Sequence, residues 1–172
     1  QGDLLLQEGN LSGAIDAWQR IEQQDPTYLA LVAQRLLETY RKMSRRDEGT
    51  ALLRGYLERY PSLDLLDVVY QQILEAEGNE AAYRLVRDEL ARNPTLLGLE
   101  KLMSARLPLA APEIRPDVEL AKTIIQGYTK RLSRYRCDNC GFKARQFYWR
   151  CPACGGWESY PPRRSEEFDQ TL

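Results

Sequence analysis

The 172-residue chain contains no histidine. That absence removes the Ser-His-Asp triad, the Cys-His nucleophile pair, the His-ligated zinc hydrolase and any imidazole proton shuttle near neutral pH. No other matched acid and base constellation stands out, so the chain reads as a non-enzyme. It also lacks any apolar run approaching the roughly 18 residues of a membrane span, and no charged-then-apolar leader opens it. The piece reads as soluble, although its first residue is Gln1 rather than Met, and an upstream segment could include an anchor. The length allows one ordinary domain, or one domain with a small module, and excludes a large multidomain enzyme.

Net charge is nearly absent, at -1, but it is a sum over unlike parts. Residues 1–126 hold 15 basic and 20 acidic side chains, residues 127–164 hold 9 and 2, and residues 165–172 hold none and three. An acidic stretch is joined to a basic block and an acidic tail.

Internal repetition is present. Pro26, Pro61 and Pro94 each follow one helical pattern and precede the next, at spacings of 35 and 33 residues. Their contexts are Asp25-Pro26-Thr27, Tyr60-Pro61-Ser62 and Asn93-Pro94-Thr95, each with a polar N-cap candidate. Twelve positions before each proline stands a small residue, Ala14, Gly49 or Ala82, and eight positions before it a large apolar one, Trp18, Leu53 or Val86. The small residue lets the two helices of a hairpin approach, and the large one fills the gap between hairpins. Gly9-Asn10, Arg45-Arg46-Asp47 and Gly78-Asn79 fall where the turns inside each unit belong. The pattern resembles tetratricopeptide repeats, about three of them, the first truncated. The predicted fold is mainly α, a helical solenoid with a small C-terminal β module.

Helices are predicted at roughly 2–9, 11–24, 28–43, 47–60, 64–77, 79–92 and 95–106. Residues 107–117 hold three prolines and read as a connector. Asp117 is predicted to cap a last helix from Val118 to Leu132, with Val118, Leu120, Ala121, Ile124, Ile125, Tyr128 and Leu132 on its apolar stripe. The expected organisation is repeats at 1–106, connector at 107–117, final helix at 118–134, metal module at 135–162 and tail at 163–172. Trp18, Tyr40, Tyr56, Tyr70 and Tyr83 read as core, while Gln34, Glu38, Arg41, Asp67 and Gln71 read as a polar inner face open to a peptide ligand.

All four cysteines lie within 18 residues, in two Cys-x-x-Cys knuckles: Cys137 with Cys140, then Cys151 with Cys154. Each knuckle turns two thiolates to one side, and the following glycine, Gly141 or Gly155, permits the positive φ that aims backbone N–H groups at sulfur. Disulfides inside such tight knuckles would be strained, and a thioredoxin-like site needs a single Cys-x-x-Cys in a βαβ setting. Cys137, Cys140, Cys151 and Cys154 are therefore predicted to hold one tetrathiolate metal ion. Zinc is the expected metal and iron the alternative, because four thiolates accept either.

Tyr135-Arg136, Gln146 to Arg150 and Trp157 to Tyr160 read as three short antiparallel strands. The stretch from Tyr135 to Pro161 resembles a rubredoxin-type module. Electron-carrying rubredoxins have a longer stretch between knuckles and an acidic surface, whereas here ten residues carry Lys143, Arg145 and Arg150. The basic block, which also holds Lys130, Arg131, Arg134, Arg136, Arg163 and Arg164, reads chiefly as a counterweight to a zinc tetrathiolate of charge -2, or as a docking face for the acidic helices or for anionic lipid heads. Its interleaved aromatics also allow a nucleic-acid surface, the less favoured reading.

Repeats, a proline-broken connector and a module of the form Tyr135-Arg136-Cys137-Asp138-Asn139-Cys140-Gly141-Phe142 followed by Trp149-Arg150-Cys151-Pro152-Ala153-Cys154 together resemble the bacterial lipopolysaccharide assembly protein B (YciM) family. The resemblance implies the cytoplasmic part of an inner-membrane adaptor, anchored by a single N-terminal transmembrane helix absent from this chain. It implies partnership with an FtsH-type membrane protease, degradation of the deacetylase that commits carbon to lipid A, and contact with other lipopolysaccharide assembly proteins. The competing classes are a rubredoxin-like electron carrier and a zinc-ribbon nucleic-acid binder.

Overall fold

The computed structural model describes residues 1–130, 132 and 135–164. Arg131 and Arg134 of the basic block, Ser133 and the tail from Ser165 lie outside the described residues. The chain divides into two compact units, Gln1–Val69 and Tyr70–Leu172.

The first unit is built of helical hairpins. It contains α1 (Gly2–Gln7), α2 (Leu11–Gln19), the short α3 (Ile21–Gln24), a 3₁₀ turn at Pro26–Tyr28, α4 (Leu29–Lys42) and α5 (Arg46–Arg59). α6 (Leu63–Glu77) contains the division between units. α1 packs on α2, α2 on α4, and α4 on α5. The periodicity explains the pairing: Ala14, Gly49 and Ala82 are all buried, as are Trp18, Leu53 and Val86. At Gly49 an added Cβ would lie 2.8 Å from the Tyr40 Cβ, so only glycine lets α5 approach α4 this closely. Trp18, Tyr40 and Tyr56 are core residues as expected. Tyr40 receives a 3.2 Å hydrogen bond from the Gln19 amide, tying α4 to α2, and burial pushes the Tyr56 phenol up to about 12.

The hairpin turns share one backbone device. Gly9 and Gly78 adopt φ of 80° and 87°, and in the middle hairpin Ser44 takes φ 58°. The turn thus pivots on Ser44 rather than on Arg45-Arg46-Asp47, because the left-handed residue follows the Met43 cap of α4, and Arg46 already begins α5. The proline junctions are capped unequally. Asp25 accepts from the Thr27 N–H at 3.0 Å and Thr95 accepts from the Gly98 N–H at 2.9 Å, whereas the buried Ser62 hydroxyl has no hydrogen-bond partner among the described residues. The predicted helix at 11–24 is interrupted at Arg20.

The second unit contains α7 (Asn79–Arg92), α8 (Leu96–Arg106), a 3₁₀ turn at Leu107–Leu109 and α9 (Arg115–Thr129). α8 packs on both α7 and α9. α9 starts three residues earlier than predicted, with Pro116 in its first turn, where a fixed φ suits the helix and the missing N–H costs nothing. Asp117 consequently lies inside the first turn instead of capping it, and Leu132 falls beyond the helix end. The helix is followed by β1 (Tyr135–Arg136) and β2 (Lys143–Ala144), paired antiparallel with Tyr135 opposite Ala144. The architecture is mainly α with a small C-terminal β element, as the sequence predicts.

Candidate metal centre

The three-stranded reading of the C-terminal module is corrected by the structure. Each knuckle is instead closed by its own pairing: β1 with β2 around the first, and a single antiparallel bridge between Arg150 and Trp157 around the second. Residues 146–149 are not strand among the described residues. The physical reason is local. A Cys-x-x-Cys-Gly turn reverses the chain, so its flanking residues meet each other before they can meet a third strand.

The two knuckles repeat the same bonds. The Cys137 N–H donates to the Phe142 carbonyl at 2.9 Å and the Gly141 N–H to the Cys137 carbonyl at 2.8 Å. In the second knuckle the Cys151 N–H donates to the Gly156 carbonyl at 2.8 Å and the Gly155 N–H to the Cys151 carbonyl at 2.9 Å. Gly141 and Gly155 adopt φ of 73° and 72°, the left-handed conformation expected of them.

This brings the four Sγ atoms within 4.8 Å of one another. Cys137 Sγ lies 3.8 Å from Cys154 Sγ, and Cys140 Sγ lies 3.7 Å from Cys151 Sγ. A tetrahedron with metal–sulfur bonds of ~2.3 Å has edges of ~3.8 Å. All four cysteines are free, and these separations are far beyond a disulfide's ~2.05 Å. The donor set fits one tetrahedral ion. Cys137 and Cys151 are buried while Cys140 and Cys154 are exposed, so the site has an inner and an outer edge.

Around the inner edge sits a small core of Tyr135, Cys137, Cys151 and Tyr160, with Ala144, Phe147 and Tyr148 packed against it. Tyr160 is fully buried and donates to the Phe142 carbonyl at 2.9 Å; burial and the nearby Cys151 sulfur push its phenol up to about 12. Tyr148 meets Tyr160 edge-on at 6.0 Å, and Phe147 meets Trp149 at 5.0 Å. Arg164 stacks over Tyr135 at 4.4 Å. Arg150 donates to the Gly155 carbonyl at 3.2 Å and lies over the Trp157 ring, so this member of the basic block braces the second knuckle.

The thiols are electrostatically unequal. Burial works to raise Cys137, but the Ser159 hydroxyl and the N–H groups of Cys140 and Asn139 stabilise its thiolate and bring it down to about 6. For Cys140 the Phe142 N–H favours the thiolate, yet burial and the three neighbouring sulfurs oppose it and push the thiol up to about 12. Four sulfurs this close cannot all carry charge without a cation among them. A metal cation held by the four sulfurs would supply it.

Two contributors have no cysteine motif to announce them. Ser159 is buried, accepts from the Cys137 thiol at 3.3 Å and donates to the Gly156 carbonyl at 3.1 Å. That carbonyl already accepts from the Cys151 N–H. The Ser159 proton is therefore free to turn to sulfur once Cys137 is a thiolate. Gly156 allows close approach: a Cβ there would lie 2.6 Å from the Asn139 amide nitrogen and 3.4 Å from Cys154 Sγ. The Gly155-Gly156 doublet was the available signal, since only the first glycine is required by the turn. Ser159→Ala is expected to weaken zinc binding about tenfold, as losses of such outer hydrogen bonds do. Competition against a chromophoric chelator measures this, and an affinity unchanged within twofold would remove Ser159 from the site.

The structure leaves Gln34, Glu38 and Arg41 of α4 exposed, with a 2.8 Å hydrogen bond from Gln34 to Glu38; Asp67 and Gln71 on α6 are exposed as well.

Comparison with known proteins agrees with the site. Residues 135–161 match the family described as "Rubredoxin metal binding domain". The chain is 27% identical over 165 residues, 95% of its length, to "Lipopolysaccharide assembly protein B" of Escherichia coli K12. It is 24% identical over 170 residues, 97% of its length, to the protein of the same name from Haemophilus influenzae. The chain spans 42% of the length of each of these relatives. The resemblance read from the sequence therefore holds: over nearly its whole length the chain is similar to lipopolysaccharide assembly protein B, and its four-cysteine segment matches a rubredoxin-type metal-binding domain.

Proposed function

We propose that this chain is the cytoplasmic part of a non-catalytic, inner-membrane adaptor in lipopolysaccharide assembly. Its helical hairpins serve as tetratricopeptide repeats that present a surface to client or protease. Its knuckles hold one zinc ion as a structural tie, for which Cys137, Cys140, Cys151 and Cys154 are the ligands. The adaptor promotes proteolysis of the lipid A-committing deacetylase by an FtsH-type protease. The observation that carries this reading is the similarity to lipopolysaccharide assembly proteins across 95% of the chain, extending through helices and metal centre alike. The chain's lack of histidine and the fit of its sulfurs to a closed tetrahedral site support a role without catalysis.

The test is metal analysis joined to capture of the full-length protein from membranes. One zinc per chain, with protease and deacetylase recovered together, is the expected result. Iron with a reversible visible absorbance change and no protease would make the chain an electron carrier. Binding to RNA or DNA that weakens steeply with salt would make it a nucleic-acid module.

A further inference from the structure

α9 is apolar around more of its circumference than the fold covers. One side packs on α8: Thr129 is buried and donates to the Glu100 carboxylate, while Val118, Ala121 and Ile125 are half-buried. A second stripe faces solvent. Leu120, Ile124 and Tyr128 are 60%, 54% and 69% exposed. Their spacing of four places them in one ridge along the helix. Single exposed apolar residues need no explanation, but an aligned ridge of three on one helix marks a contact surface.

The sequence of this ridge says what fits it. It is symmetric about Ile124: Leu120 lies four residues before and Tyr128 four after, Ala121 three before and Gly127 three after. If a second α9 is laid antiparallel across the first with a two-fold axis at Ile124, Leu120 meets the other copy's Tyr128 and Ile124 meets its own counterpart. Ala121, at the edge of the side packed on α8, then lies opposite the other copy's Gly127, where nothing lies within 4 Å of an added Cβ, so the backbone there has room to be approached. The charges agree with that direction. Asp117 and Glu119 outweigh Arg115 at the N-terminal end and Lys130 stands at the C-terminal end, so antiparallel copies bring opposite net signs and opposite helix dipoles together. An anionic membrane is a poorer fit, because Asp117, seven residues before Ile124, places a carboxylate in line with the ridge. A two-fold interface uses one self-complementary patch twice, which is what this pattern offers.

We propose that α9 is a homodimerisation surface, and that two copies of the chain associate through antiparallel α9 helices with Ile124 on the two-fold axis. A 15-residue helix is about 22 Å long, so the contact lies at the small end of specific interfaces and the dimer exchanges with monomer at micromolar concentration.

The test is sedimentation equilibrium of the zinc-loaded chain from about 5 to about 500 μM. The expected mass rises from that of the 19.9 kDa monomer toward twice that value. Ile124→Glu and Ile124→Lys each place like charges on the axis and are expected to remain monomeric throughout. An equimolar mixture of the two is expected to associate again, because unlike charges now face each other. Ile124 is over half exposed, so circular dichroism and metal content of both variants should match the parent. Three results would overturn the proposal: a parent chain that stays monomeric at every concentration, association that survives Ile124→Glu, or a mixture that does not associate.

Discussion

Chelating the metal, or replacing Cys137 and Cys140 together by Ser, is expected to unfold residues 135–162 while the helical signal of the chain is largely kept. The module has little else to hold it. Its strands β1 and β2 are two residues each, and two of the four residues in its buried core, Cys137 and Cys151, belong to the candidate metal site. Structural zinc in sites of this kind contributes on the order of 10 kcal/mol at neutral pH, more than such a core can replace. Amide exchange at residues 135–161 and the emission of Trp149 and Trp157 read the change. Protection that persists in the metal-free chain would show that aromatic packing alone sustains the knuckles. The same double variant bears on the adaptor role. If client turnover and the stability of the helices are both unchanged, the module does not support the adaptor structurally.

Leu53→Ala is expected to cost about 2–5 kcal/mol, the other large effect. Leu53 is 1% exposed on α5, with Tyr56 and Leu57 of the same helix equally buried, so the lost volume leaves a cavity that these neighbours cannot easily fill. At roughly 3 °C per kcal/mol for a chain of this length, the melting temperature of the helical signal should fall by about 10 °C. Leu53→Met keeps the volume and should cost less than ~1.5 kcal/mol. Equal effects from the two variants would mean that the position tolerates loss of volume and is not the packed repeat position its spacing indicates.

Much of this fold was legible because it is local and periodic. Small residues at 14, 49 and 82 and large apolar ones at 18, 53 and 86 recur at near-constant spacing, and all six are buried. Helix bounds followed to within a few residues, and shifted where backbone chemistry intervened, as at Pro116, which lies in the first turn of α9, and Ser44, which turns the middle hairpin. Ser44 has no glycine's signature, so its left-handed φ was invisible in the residue type. The four-cysteine cluster was equally plain, because two Cys-x-x-Cys-Gly turns carry their own geometry. The supporting residues Ser159 and Gly156 were not: their roles depend on a hydrogen bond to Cys137 and a close approach to Asn139 across the knuckles.

Taken by itself, the sequence determined the helical hairpins and the pairing of four cysteines in two Cys-x-x-Cys-Gly turns, since each follows from spacing or from residue type alone. Tertiary structure decided the rest. It set which two sulfurs face the core and which two face solvent, because burial depends on how Tyr135 and Tyr160 close over one edge of the site. It also divided the apolar circumference of α9 between a side packed on α8 and an open ridge at Leu120, Ile124 and Tyr128. Hydrophobic periodicity reports that a side chain is apolar, while only packing determines whether another element comes to cover it.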